Sequence, residues 1–149
     1  MNLSQQTVIF LDFDGVLHPA EYLRFDEIDG ELILGSDIRF CWASVLWNLI
    51  KDHDCDLVIH SSWRTSFDLK EIREMLPQDL RSRVRDVTGD GTRYASIAEY
   101  VAVHQLCKYL ILDDAPRNFL GFESPCDLQF RKGIDCPGVQ DQIVCFLCT

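Results

Sequence analysis

Asp12-Phe13-Asp14-Gly15 sets two carboxylates two residues apart, directly behind the apolar run Thr7 to Leu11. In extended geometry both side chains point the same way, and Gly15 allows the chain to turn sharply just after them. Two acids held close repel one another unless a cation sits between them or one keeps its proton. The pair therefore calls for a hard divalent metal or for an acid and a base working together. Mg²⁺ fits best, because it takes oxygen ligands, few of them carboxylates, and completes its shell with water and substrate phosphate. Two more polar clusters end apolar runs in the same manner: Ser61-Ser62 after Leu57 to His60, and Asp113-Asp114 after Tyr109 to Leu112.

The elements that position these clusters follow from the apolar pattern. Each of the three runs is short, rich in β-formers and continuous rather than alternating, as in strands buried on both faces. Between them, Phe40 to Lys51 carries an apolar stripe of helical period. Ser66 is placed to cap a helix running through Met75, and Thr92 to Val103 forms a third helix with Ile97 and Val101 on one face. Strands alternating with helices imply βαβ units with right-handed crossovers: an α/β, Rossmann-like three-layer sandwich around a central parallel sheet. Ligands of such sheets gather at the carboxyl ends of the strands, where Asp12, Ser61 and Asp113 lie. Asp29-Gly30, between Phe25 to Ile28 and Glu31 to Leu34, signals a small β-hairpin flap after the first strand. Asp127 to Arg131 reads as another strand and Val139 to Leu147 as a closing helix.

Taken in order, Asp12-x-Asp14-Gly15-Val16-Leu17, Ser61, a basic residue ahead of the last strand, and Asp113-Asp114 resemble the four motifs of the haloacid dehalogenase (HAD) superfamily. The likeness runs from about Val8 to Asp114. It implies an Mg²⁺-dependent phosphatase in which Asp12 attacks phosphorus to form an aspartyl-phosphate. Asp14 then protonates the leaving oxygen and later activates water. A carboxylate is a weak nucleophile, and splitting the displacement into two steps makes it workable. An alkoxide leaving group needs a proton where a halide does not, so Asp14 favours phosphatase over dehalogenase chemistry. The resemblance places Mg²⁺ on the Asp12 side chain, the Asp14 backbone carbonyl and Asp113, with Asp114 near or in the shell. Ser61 or its neighbour Ser62 donates to a phosphoryl oxygen. Arg93 is the basic motif residue, opening a helix where many relatives carry Lys, and Arg64 is its competitor. Ser62, Arg64 and Gly15 are expected to line the substrate.

Plainer readings stand beside these. Ser61-Ser62 can serve as an N-cap, and Asp113-Asp114 can cap a helix carrying Pro116 in its first turn. His18 and His60, beside the first and second motifs, read as structural or solvated neighbours. Trp42 and Trp47 belong to the core of the first helix, whereas Trp63 lines the site. Cys145-x-x-Cys148 lacks a second pair and reads as core packing in the terminal helix. Arg81-x-Arg83-x-Arg85 reads as a solvated face.

Composition bounds the rest. A chain of 149 residues with 47% hydrophobic residues forms one domain, 1–149, without repeats or linkers. The intervals between motifs leave no room for a full cap domain, which favours a phosphate displayed on a large partner, such as a phosphoprotein or a nucleic-acid end, or a small substrate covered by a neighbouring subunit. Net charge −10 disfavours nucleic acid, whose binding draws mostly on Lys and Arg, without forbidding a local phosphate site. No apolar run approaches the roughly 18 to 20 residues of a membrane helix. No secretory signal is visible, so the seven cysteines are read as thiols in a cytoplasmic protein. Two other classes compete with the enzyme. One is a catalytically silent HAD-fold binding or regulatory module, which retention of all four motifs argues against. The other is a phosphoacceptor receiver domain, whose motif order differs.

Overall fold

Four parallel strands build the sheet of the computed structural model, which describes residues 6–19, 25–28, 30–34, 38–113 and 133–149. They are β1 (Thr7–Leu11), β4 (Asp56–Ile59), β5 (Val84–Val87) and β6 (Lys108–Leu112), in the order β5-β4-β1-β6. β1 is thus flanked on both sides. It pairs with β4 from Val8↔Asp56 to Leu11↔Ile59 and with β6 from Thr7↔Lys108 to Leu11↔Leu112. This register brings the three apolar runs to an end at one level. The Asp12 amide then donates to the Leu112 carbonyl (3.1 Å) and the His60 amide to that of Leu11 (3.1 Å), carrying the ladder into the motif residues.

Alternation along the strands separates two cores. Ile9, Leu11, Leu57, Ile59, Leu110 and Leu112 face the layer formed by α1 (Ala43–Ile50), α2 (Leu69–Met75) and α5 (Pro137–Cys148). Val8, Phe10, Val58, Tyr109 and Ile111 face α4 (Arg93–His104), where Tyr100 and Tyr109 each set an edge against the Phe10 ring. Most of these side chains are completely buried, each worth roughly 1.5–3 kcal/mol in transfer from water. The result is the expected α/β three-layer sandwich. β2 (Phe25–Ile28) and β3 (Glu31–Leu34) form the expected antiparallel hairpin, with Gly30 at φ +81° in its turn.

Several boundaries differ from the sequence reading. α1 begins at Ala43 rather than Phe40, because Phe40 lies at φ +58° in the left-handed region and cannot belong to a right-handed helix. Trp42 accordingly sits at the N-cap, and both it and Trp47 are only partly buried. α2 is capped by Asp68, not Ser66: the Asp68 carboxylate accepts from the Glu71 amide while Glu71 accepts from the Asp68 amide, a complete capping box. Between Ser61 and Arg93 the chain fits a 3₁₀ turn (Ser62–Thr65), α2, the short α3 (Gln78–Arg81) and β5. The Arg81 and Arg83 guanidiniums are not simply solvated. Arg83 donates to the carbonyls of Lys51, His53 and Cys55, and Arg81 to those of Glu74 and Leu76.

α4 opens at Arg93, as expected, and Thr92 stands outside the helix as its cap, its hydroxyl accepting from the Ala95 amide. In α5 the buried face is Val139, Ile143 and Phe146, and this spacing turns Cys145 and Cys148 to solvent instead of into the core. The six cysteines among the described residues are free thiols. The strand expected at Asp127 to Arg131 lies outside the described residues. No helix among the described residues is long and apolar enough to cross a membrane.

Candidate active site

The turn after β1 is tight. Gly15 adopts φ +77°, its amide donates to the His18 carbonyl (2.9 Å), and the Val16 and Leu17 amides both reach back to Phe13. Glycine suits the left-handed position, where a Cβ is costly. The turn is held from the far end of the chain by the Ile134 amide, which donates to the Val16 carbonyl (3.0 Å).

Asp12 is 1% exposed, and its Oδ1 accepts from the Phe13 amide (2.9 Å). Its Oδ2 accepts from Arg93 Nη1 at 3.0 Å, and the same nitrogen donates to Asp113 Oδ2 at 2.7 Å. Asp113, completely buried, also accepts from His60 Nε2 at 2.9 Å. The cation that joins Asp12 to a second carboxylate is therefore a guanidinium, and the second carboxylate is Asp113 rather than Asp14. Burial works against the Arg93 charge, but Asp12 and Asp113 outweigh it and raise its pKa. For His60 burial dominates and lowers the pKa despite the Asp113 contact.

Asp14 points elsewhere. Its Oδ1 lies 2.7 Å from His18 Nε2, and its Oδ2 accepts from the Trp63 indole Nε1 at 3.1 Å. The Trp63 ring packs among Phe13, His18, Phe40 and Phe67. Burial raises the Asp14 pKa, but the bonds from His18 and Trp63 and the nearby positive charge outweigh it, so the carboxyl lies below its ordinary value. His18 and His60, read from sequence as structural or solvated neighbours, are thus completely buried partners of the motif carboxylates. The signal for His18 was its position four residues after Asp14. For His60 it was a polar residue ending an apolar strand immediately before Ser61.

Ser61 is buried and does serve as an N-cap: its Oγ accepts from the Trp63 amide at 3.2 Å. A hydroxyl that accepts still has its own proton to donate. Ser62 is exposed and lines, with Arg64, Thr65, Gly91, Thr92, Arg93 and Tyr94, an open cavity of about 540 Å³. Arg64 does not reach Asp12 as Arg93 does. Its guanidinium donates to the carbonyls of His60 (2.8 Å), Ser61 (3.1 Å), Gly89 (3.3 Å) and Gly91 (3.0 Å). It ties the loop after β4 to the loop before α4, and burial with the neighbouring Arg93 charge lowers its pKa.

Asp12 and Asp113 offer hard carboxylate oxygens side by side on Arg93, while the Asp14 carboxylate is turned to His18 and Trp63. Two carboxylates are a donor set that fits Mg²⁺, which commonly takes one or two with water and phosphate. Among the described residues no group of three or more His, Cys, Asp or Glu side chains is gathered as a metal cage. Asp114 lies outside the described residues.

A parallel α/β sheet whose flanked strand ends in Asp12-x-Asp14, with Ser61 and Asp113 ending its two neighbours, defines the HAD-like class of hydrolase folds. Within it the chain belongs to the family described as the HAD domain in Swiss Army Knife RNA repair proteins, whose model matches residues 8–131. No curated protein matches the chain.

Proposed function

We propose that the protein is an Mg²⁺-dependent phosphomonoesterase acting on a phosphorylated RNA end. The observation that carries the reaction is the buried Asp12 carboxylate, fixed at the end of β1 by Arg93 and the Phe13 amide. An Asp12 oxygen attacks phosphorus as the ester P–O bond breaks, and Asp14 gives its proton to the departing alkoxide. A water then attacks the aspartyl-phosphate, Asp14 takes that water's proton, and the P–O bond to Asp12 breaks to release inorganic phosphate. Ser61 donates to a phosphoryl oxygen, and Arg93 holds phosphate and nucleophile together. Asp12, Asp113 and the Asp14 carbonyl would hold Mg²⁺, with Asp114 beside them, and the ion would neutralise phosphoryl charge.

Substrate class rests on different ground. The family description names RNA repair proteins, and the cavity beside Arg93 is open and lined by Arg64 and Arg93 with Ser62 and Thr65, suited to a phosphate carried on a large molecule. This outweighs the charge argument against nucleic acid. A phosphatase that grips only a terminus neutralises few phosphates, so net charge −10 costs it little.

Hydrolysis of p-nitrophenyl phosphate by the purified protein, with Mg²⁺, with chelator and with Asp12→Asn, tests the chemistry. Turnover only by the unsubstituted protein with Mg²⁺ supports the reading, and equal rates in all three arms refute it. Oligoribonucleotides phosphorylated at the 3′ or the 5′ end, compared with a phosphopeptide, test the substrate. Preference for the phosphopeptide would return the assignment to a protein phosphatase.

A further inference from the structure

The Asp14 carboxylate is gripped at both oxygens, by His18 at Oδ1 and by Trp63 at Oδ2. The Phe40 amide donates to His18 Nδ1 at 3.2 Å, so that nitrogen carries no proton. The ring proton must then sit on Nε2, the atom 2.7 Å from Asp14 Oδ1. Phe40 presents its amide from φ +58°, a conformation rare for a bulky side chain and tolerated where surroundings over-determine it. Those surroundings are the rings of Phe13, His18 and Trp63 packed around Phe40. On the other side, Trp63 is the second residue of the 3₁₀ turn, its amide donates to the Ser61 cap, and its indole N–H donates to Asp14 Oδ2.

From this geometry we infer that His18 and Trp63 are positioning residues that orient Asp14 for proton transfer to the leaving group, with the Phe40 amide selecting the His18 tautomer. The inference rests on the acid and base role proposed for Asp14. Asp14 is 37% exposed, and an ungripped carboxylate on a loop would turn freely about its side-chain bonds. Two donors, one per oxygen, fix both torsions. Each oxygen retains a second lone pair directed away from its donor, and that is where a proton in transit to the leaving oxygen or from the attacking water is taken up and passed on. Preorganisation of this kind lowers the barrier only where the proton transfer matters.

The consequence is selective and separates positioning from mere support of the fold. Nitrophenolate leaves without needing a proton, whereas the alkoxide of glycerol 2-phosphate requires one. Trp63→Phe removes the N–H and keeps an aromatic ring. His18→Leu removes the other donor, and His18→Gln returns an N–H near the Nε2 position. Trp63→Phe and His18→Leu are expected to lower kcat by ~10²-fold on glycerol 2-phosphate and only several-fold on p-nitrophenyl phosphate, with KM little changed, and His18→Gln to recover most of the loss. Asp14→Asn serves as the reference. If Asp14→Asn discriminates between the substrates while the positioning variants lose both equally, the inference falls and the phosphatase reading stands. If Asp14→Asn treats both alike, or the unsubstituted protein hydrolyses neither, the reading falls and takes the inference with it. The ring ¹⁵N shifts of His18 in the labelled full chain give a readout independent of turnover: a proton on Nε2 supports the inference, and a proton on Nδ1 overturns it.

Discussion

Arg93 Nη1 lies 3.0 Å from Asp12 Oδ2 across 81 residues of sequence, and the same nitrogen makes the 2.7 Å contact to Asp113. Both bridges therefore use one atom of the guanidinium, a task that does not require a planar fork. Arg93→Lys is expected to keep most of the stability and, within about tenfold, the activity, even though Arg and Lys are not generally interchangeable. Arg93→Ala leaves two buried carboxylates without their shared cation and should cost about 3 kcal/mol in urea unfolding. Equal losses for the two variants would show that the fork itself is needed.

What could be read from the sequence was whatever is local or continuous. β1, β4 and β6 were legible because strands buried on both faces are unbroken apolar runs, and the level at which they end placed Asp12, Ser61 and Asp113 together. β5 was not, because Arg85 and Asp86 stand among its four residues and it shows no buried-strand pattern. The second grip on the site was hidden for another reason. Trp63 meets Asp14 across 49 residues and Phe40 meets His18 across 22, and no periodicity reports contacts made by irregular turns. The resemblance to the HAD motifs supplied Arg93 with Arg64 as its rival, and nothing in the sequence signalled the four backbone carbonyls that the Arg64 guanidinium meets.

Arg64 holds two loops through backbone carbonyls, so its loss should loosen the site without removing a reacting group. Arg64→Ala is expected to raise KM for p-nitrophenyl phosphate more than it lowers kcat, and to cost about 1–3 kcal/mol in stability. Arg64→Lys should recover little, since a single ammonium cannot span carbonyls on both loops. A kcat collapse with KM unchanged would instead place Arg64 among the reacting groups.

Two buried groups make the fold sensitive to alkali. Burial pushes the Cys55 thiol up to about 11, with Asp56 and Asp54 opposing Arg83 nearby, and burial together with Asp86 pushes the Tyr100 phenol up to about 12. Both groups are neutral when protonated, and both folded values lie above the unfolded ones. Their contribution is therefore complete below about pH 9 for Cys55 and about pH 10 for Tyr100, and is lost as pH rises toward the folded values. Unfolding free energy measured from pH 8 to 12 should fall through this window, and Tyr100→Phe should flatten its upper part. In the native protein Cys55 should also react with thiol reagents far more slowly than the exposed Cys41, Cys107, Cys145 and Cys148.

Gly133 connects stability to the site. A Cβ there would run into the Cε3 and Cζ3 edge of the Trp42 ring and approach the Gly15 carbonyl to 3.0 Å, and the next residue, Ile134, is the one that holds Val16. Trp42 is in turn fixed by its own amide, which donates to the Leu17 carbonyl at 2.9 Å. The ring and the turn after β1 therefore cannot both stay in place around an added methyl. Gly133→Ala is expected to destabilise the fold by about 1–3 kcal/mol. Because the displaced turn carries Asp14, kcat should fall with it. Trp42→Leu frees room at the ring edge, so the double variant should lose less than the two single changes added together, a coupling that a thermodynamic cycle measures directly. Strict additivity would mean that Gly133 and Trp42 do not contend for the same space.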